Sequence, residues 1–426
     1  GQVTNSVDGS GNITDGKISG LATLDVTLDD SSSSTFGNNT TGTVKYSVAN
    51  INTIAGKTTG TVTAVVDETE LDTVKGLTTA GNYTVTIATD GTGATVAAAD
   101  LKAVLAKVGT GTITVTSNIT GVDGAYADVF AVYDSTKISG LGDETNAISD
   151  GITVAQANAL DAKNAGTITA TISANDMATL NTLTLNTDSN GDPVAHAYTI
   201  TVTDNVVDAD KLNTLDSKTS VDLVVDNATS LTGTLAGVKA AYAASDAVNP
   251  TIKAASFGNE TVTISDTEII AADLKAIDAA TSGLITLSGV TKVTGTATDI
   301  HTLMDSNGVT GLTTATTDII ITGSAAEAVD LVAIEAHTTA TGLITIDPST
   351  TAIKGSVSDV TTVFTKATTV TTVGSEFTRT IEGPLTANVT LDDGANGAQS
   401  YTVKQINTIA GKTTGIITAS VTDSTA

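Results

Sequence analysis

The stretch Ala271-Ala272-Asp273-Leu274-Lys275-Ala276-Ile277-Asp278-Ala279-Ala280, followed by Thr281-Ser282-Gly283-Leu284-Ile285-Thr286-Leu287, carries the plan of the chain. Leu274 and Ile277 lie three residues apart, so a helix places them on one face, and the surrounding residues are good helix formers with an acidic start. Gly283 is suited to end that helix in a left-handed conformation. In Leu284-Ile285-Thr286-Leu287 the period changes to two, the pattern of a strand that turns aliphatic side chains inward and threonine outward.

The same phrase returns on both sides. An apolar residue, any residue, a small residue and a second apolar residue occur thirteen times, from Ile51/Ile54 through Leu101/Val104, Leu212/Leu215 and Ile300/Leu303 to Ile406/Ile409. Glycine and alternating β-branched residues commonly follow, as in Gly111 to Thr116, Gly166 to Thr171 and Gly342 to Ile346. A second short strand is predicted before the next helix, at Val290 to Thr294 and Asp318 to Thr322. Neither the helix nor the strands of such a coil can bury an apolar face alone, whereas stacked coils form continuous sheets under a row of helices. The expected fold class is an α/β repeat: an irregular solenoid of about twelve coils of roughly 30 residues, each a short helix, a glycine turn and one or two strands.

A larger period encloses the coils. Ile51-Asn52-Thr53-Ile54-Ala55-Gly56-Lys57-Thr58-Thr59-Gly60 returns letter for letter as Ile406 to Gly415, and Val26-Thr27-Leu28-Asp29-Asp30 returns as Val389 to Asp393. The chain therefore reads as a strand-rich junction (1–50), a solenoid module (51–363), a second strand-rich junction (364–405) and the start of the next repeat (406–426). A longer tandem array is the expected context.

Two phrases, Ala272 to Gly283 and Ala157-Asn158-Ala159-Leu160-Asp161-Ala162, each followed by a threonine-alternating strand, resemble the Thr-, Ala- and Asp-rich tandem repeats of giant bacterial cell-surface proteins of the cyanobacterial type. The resemblance covers most of the chain. It implies a surface location and a mechanical or adhesive role, and it brings no catalytic residues.

Composition agrees with a thin core. Of 426 residues, 86 are threonine and only 3% are aromatic, while 40% are hydrophobic, enough apolar surface to fold. Val, Ile, Leu, Ala and threonine methyls must then fill the interior. The formal net charge of −27, with Arg379 the single arginine, excludes the cationic surface that nucleic-acid binding needs. It suits instead a soluble or extracellular protein in a medium rich in screening cations. Without cysteine there is neither a disulfide framework nor a thiolate metal site. No apolar run approaches the roughly 20 residues of a membrane span, so no membrane insertion is expected in this segment. The opening at Gly1, without a basic n-region, suggests a mature product or an excerpt.

Chemistry-bearing constellations are scarce. His196, His301 and His337 occur singly, without HxH or HxxxH spacing, and read as ordinary surface or edge residues. There is no nucleotide-binding fingerprint, and the expectation is a protein that is not an enzyme. Calcium is the one cofactor weighed against none at all. Asp8 and Asn12 stand at spaced positions of a Gly-containing loop, and Asp188 and Asp192 bracket Ser-Asn-Gly, an arrangement found more briefly in Asp305-Ser306-Asn307-Gly308. The recurring pairs Asp29/Asp30 and Asp392/Asp393 are placed for a cation at the module junction. Asp-Ser-Asn-Gly is equally ordinary turn chemistry. The expected function is a non-enzymatic structural repeat of an extracellular or cell-surface filament, stalk or surface layer, with other copies of the module as partners. The alternative is a calcium-stabilised adhesin repeat region that binds a surface or glycan.

Overall fold

The computed structural model describes residues 22–28, 44–89, 93–187, 191–246, 250–255, 257–312, 317–337, 343–368, 372–373, 376–377, 381–383, 386–392 and 400–422. They form a mixed α/β structure with two compact units, Gly1–Thr201 with Ser217–Leu223, and Val202–Asp216 with Val224–Ala426. The division falls inside the stretch 51–363 that the sequence presents as one module.

Among the described residues thirteen helices form, and each carries one of the thirteen apolar pairs. The first unit holds α1 (Val48–Ala55), α2 (Leu71–Val74), α3 (Ala98–Leu105), α4 (Tyr126–Tyr133), α5 (Val154–Asp161) and α6 (Met177–Leu180). The second holds α7 (Ala209–Asp216), α8 (Leu235–Ser245), α9 (Ala271–Ala280), α10 (Ala297–Asp305), α11 (Ala328–His337), α12 (Val357–Thr368) and α13 (Val403–Ala410). Both members of the pair are buried in α1 to α12, and in α13 Ile409 is buried while Ile406 is half-buried. Two helices are shorter than expected: α2 and α6 are single turns of 4 residues rather than two or three turns. Threonine starts several helices. Thr234 and Thr296 cap α8 and α10, and Thr153 with Gln156 and Thr402 with Gln405 form reciprocal capping boxes on α5 and α13.

The strands are short and pair in parallel with a strand from a neighbouring coil. In the first unit a five-stranded sheet runs Val26–Thr27, Val62–Val65, Asn82–Ile87, Ile113–Val115, Ile138–Ser139. In the second, Val206–Asp208, Ser230–Gly233, Thr261–Ile264, Ile285–Leu287 and Val309–Thr310 form another. Register explains the composition. Val207 lies opposite Leu231, Leu231 opposite Val262, Val262 opposite Ile285 and Ile285 opposite Val309, an aliphatic row facing the helices. One residue on, Thr232, Thr263, Thr286 and Thr310 form a threonine row on the other face. A side-chain period of two makes both rows from one sequence pattern. Thr372–Val373 and Glu376–Phe377 form an antiparallel pair within the expected second junction, and none of the described sheets closes into a barrel.

The glycine after the helix does a different job from the expected one. Gly283 does not have a positive φ; a Cβ there would overlap the carbonyl of Glu260, and one at Gly111 would overlap the carbonyl of Tyr83. These positions require glycine because the chain leaving the helix crosses directly over the backbone of the preceding coil. Positive φ is found instead at turns and on the way into some helices, as at Gly233 (φ 151°), which sits against Ala209 at the start of α7.

Candidate assembly face and the residues between coils

Several consecutive helices are linked by a side chain that stands four residues after the first residue of the helix. At that place Lys75, Lys102, Lys239 and Lys275 reach the carboxylate at the third position of the next helix, Asp100 (3.0 Å), Asp128 (2.6 Å), Asp273 and Asp299 (2.8 Å). Where the position is asparagine the partner is a backbone carbonyl: Asn52 donates to Gly76, Asn158 to Thr182 and Asn213 to Gly237. The helix dipole favours the acidic residue in a first turn, and the lysine of the neighbouring helix neutralises it.

The Lys275 ammonium, by its hydrogen bond, and the Thr296 hydroxyl hold the Asp299 carboxyl below its ordinary range, against a smaller opposing effect of burial. A depressed folded-state value means the pair stabilises the protein above the ordinary carboxylate range. That contribution is lost as pH falls through the lowered value. Lysine and aspartate side chains are 43% and 22% exposed, so the effect is held to less than about 1 kcal/mol. Urea titrations of Lys275→Met and the parent at pH 7 and at about pH 3 should show a difference at the higher pH that shrinks at the lower one. An undiminished difference would mean the lysine acts by packing.

The two copies of Ile-Asn-Thr-Ile-Ala-Gly-Lys-Thr-Thr-Gly make the same local bonds. Thr58 Oγ1 donates to Leu24 O at 2.7 Å, and Thr413 Oγ1 to Ala387 O at 2.8 Å. The Gly60 and Gly415 amides donate to those threonine hydroxyls, each at 2.9 Å. The following amide donates to a side-chain oxygen in both, Thr61 to Asp25 at 2.6 Å and Ile416 to Asn388 at 2.8 Å. Val26 pairs with Val62, and Val389 with Ile417.

What differs is the next layer. In the first copy Thr63, Ala64 and Val65 pair onward with Asn82, Tyr83 and Thr84, and Asn52 reaches the Gly76 carbonyl after α2. Val48, Val62, Ala64 and Val66 are thereby buried at 6%, 2%, 4% and 2% exposure. In the second copy Ile417–Thr418 is the last strand of its sheet. Val403 and Val421, the counterparts of Val48 and Val66, are 47% and 54% exposed, and Ile417 and Ala419 are half-buried. In the first copy it is residues 67–87 that cover this apolar face.

Of the calcium candidates, Asp8, Asn12, Asp29, Asp30, Asp188 and Asp393 lie outside the described residues. Asp192 and Asp392 are described and exposed, and the Asp392 amide donates to Gly355 O as part of a strand end. Asp305-Ser306-Asn307-Gly308 is a turn in which Ser306 Oγ donates to Asp278 and accepts from the Gly308 amide.

Of the three histidines, His196 corrects the expectation of an ordinary surface or edge position, while His301 is half-buried and His337 is exposed as expected. His196 is fully buried against Asp161, at 2.8 Å. His301 and His337, from α10 and α11, converge with Asp305, which neither of the singly read histidines announced. Among the described residues it is this set, without Asp192 or Asp392, whose ligand atoms come within reach of a common ion. Alignment of the thirteen helices would have exposed it, because His301 occupies the place of Lys102 and Lys275.

No protein-family model, curated protein or solved structure matches the chain. Among the described residues no helix is long and apolar enough to cross a membrane.

Proposed function

We propose that the chain is a non-enzymatic structural repeat of an extracellular or cell-surface filament, stalk or surface layer, an irregular solenoid whose modules follow one another end to end. The observation that carries this reading is that both copies of the repeated stretch build the same bonds and strand pairing, Thr413, Gly415 and Ile417 standing where Thr58, Gly60 and Val62 stand, so the apolar positions that a following coil buries at 48–66 call for the same cover at 403–421. The occupant is the next module's equivalent of residues 67–87, which in the first copy supplies α2 and the strand Asn82–Ile87. A strongly negative chain repels its copies, so contact is confined to the face whose apolar burial and strand pairing outweigh that repulsion.

Grafting residues 67–116 directly after Val421 tests the docking. The amides from Ile417 to Val421 should gain at least about tenfold protection from hydrogen exchange, as interior strand amides do. Unchanged exchange would sink the reading. Electron microscopy of the native protein should show extended rods or layers, and dispersed compact particles would count against it.

A further inference from the structure

We propose that His301, Asp305 and His337 form a binding site for a divalent zinc-class cation that staples α10 to α11. His301 and Asp305 are four residues apart on α10 and share one face, while His337 ends α11 beside them. Asp305 lies between the two imidazoles: its Oδ2 is 3.2 Å from His301 Nε2 and its Oδ1 is 3.0 Å from His337 Nε2. All three ligand atoms lie within 4.8 Å of one another.

The other nitrogen of His301 decides what Nε2 can do. Nδ1 is 2.8 Å from Asp330 Oδ1, and an ionised carboxylate only accepts, so Nδ1 carries the proton. Asp330 is itself held, its Oδ2 accepting from Thr298 Oγ1 at 2.5 Å, and it is 8% exposed. With Nδ1 engaged by Asp330, Nε2 is the nitrogen left to ligate, and it faces Asp305 Oδ2, which with His337 Nε2 completes a three-atom cluster of the size that holds one ion. A carboxylate that fixes the tautomer of a ligating histidine is the usual outer support of an imidazole–metal bond.

A second observation comes from the ladder between helices. Lysine fills this place in α2, α3, α8 and α9, and a single Lys–Asp pair closes each step there. At α10 the residue is histidine, still paired with the third-position Asp330 of the next helix, and Asp305 and His337 are added outside it. Two imidazoles and one carboxylate suit zinc, with its tetrahedral preference and ligand bonds of about 2.0–2.2 Å. Calcium, which wants six to eight oxygens, is poorly served.

The test uses the whole chain after chelation and removal of the chelator. Titration with zinc chloride should show one tight equivalent and a raised melting temperature, and cobalt should give the visible absorption of a four-coordinate N/O site. His337→Ala, at the exposed end of α11, should remove both while leaving the far-ultraviolet circular dichroism unchanged. Asp330→Asn, a positioning change, should weaken zinc binding about 10–100-fold while retaining the cobalt band at saturation. The same concentration of calcium should not shift the melting curve. Zinc binding that is absent, or that survives His337→Ala undiminished, would overturn the proposal and leave a proton rather than a metal between His301 and Asp305.

Discussion

Replacing His196 with alanine is expected to destabilise the first unit by about 3–5 kcal/mol. The ring is fully buried, and its two nitrogens have distinct duties. The Ile168 amide donates to Nδ1 at 3.1 Å, so Nδ1 presents a lone pair and the proton resides on Nε2, which donates to Asp161 Oδ1 at 2.8 Å. Asp161 is also buried and further accepts from Thr184 Oγ1 at 3.0 Å and from the Asn186 amide at 2.8 Å. The imidazole also lies 5.0 Å from the Tyr198 ring. Alanine would leave the Ile168 amide without its acceptor, strip one donor from a buried carboxylate and open a void beside Tyr198. Urea unfolding combined with hydrogen exchange at Ile168 and Asn186 measures the effect. Asp161→Leu should cost a similar amount, and the double variant clearly less than the sum, because the second deletion removes a group already orphaned. Unchanged exchange at Ile168 in His196→Ala would show that the bond contributes little.

The second large effect is expected at Gly283. Valine there should cost the second unit about 3 kcal/mol or more, and alanine a large part of that, because the added Cβ would overlap the Glu260 carbonyl. The segment cannot simply move away. Ser282 donates its amide to Gly258 O at 2.7 Å, and Thr281 Oγ1 accepts from the Gly283 amide at 2.9 Å. Gly411, which ends α13 with φ −74°, is the control in the same unit. A Cβ there would meet only Asn407 O at 3.7 Å and Thr408 O at 3.9 Å, ordinary contacts. Gly411→Ala should therefore be neutral or stabilising by about 0.4–1 kcal/mol through the unfolded chain. Melting curves of the two variants decide the matter. A tolerant Gly283 would show that the Glu260 backbone yields to the added Cβ and that this close approach does not dictate the glycine.

Much of the fold was legible because its rules are local. The i, i+3 apolar pair found each of the thirteen described helices, and the alternation Ile285-Thr286-Leu287 placed inward and outward side chains correctly. Local rules failed where two distant segments meet. From sequence Gly283 looks like a helix end, because a glycine after a helix usually is one. Its true constraint is Glu260, a backbone group from the preceding coil. From sequence His196 looks like a surface or edge residue, because nothing adjacent to it is a partner, while Asp161 and Ile168 come from α5 and the strand after it.

The sequence by itself determined the period of the chain, the helix and strand content of each coil, the thin aliphatic core and the surplus of negative charge. These follow from side-chain spacing and composition, which act along the chain. Only the tertiary structure decided which glycines lie under a neighbouring backbone and which histidines are buried or gathered. Those properties depend on what a sequence-distant segment places at about 3 Å, and parallel strand pairing brings such segments together.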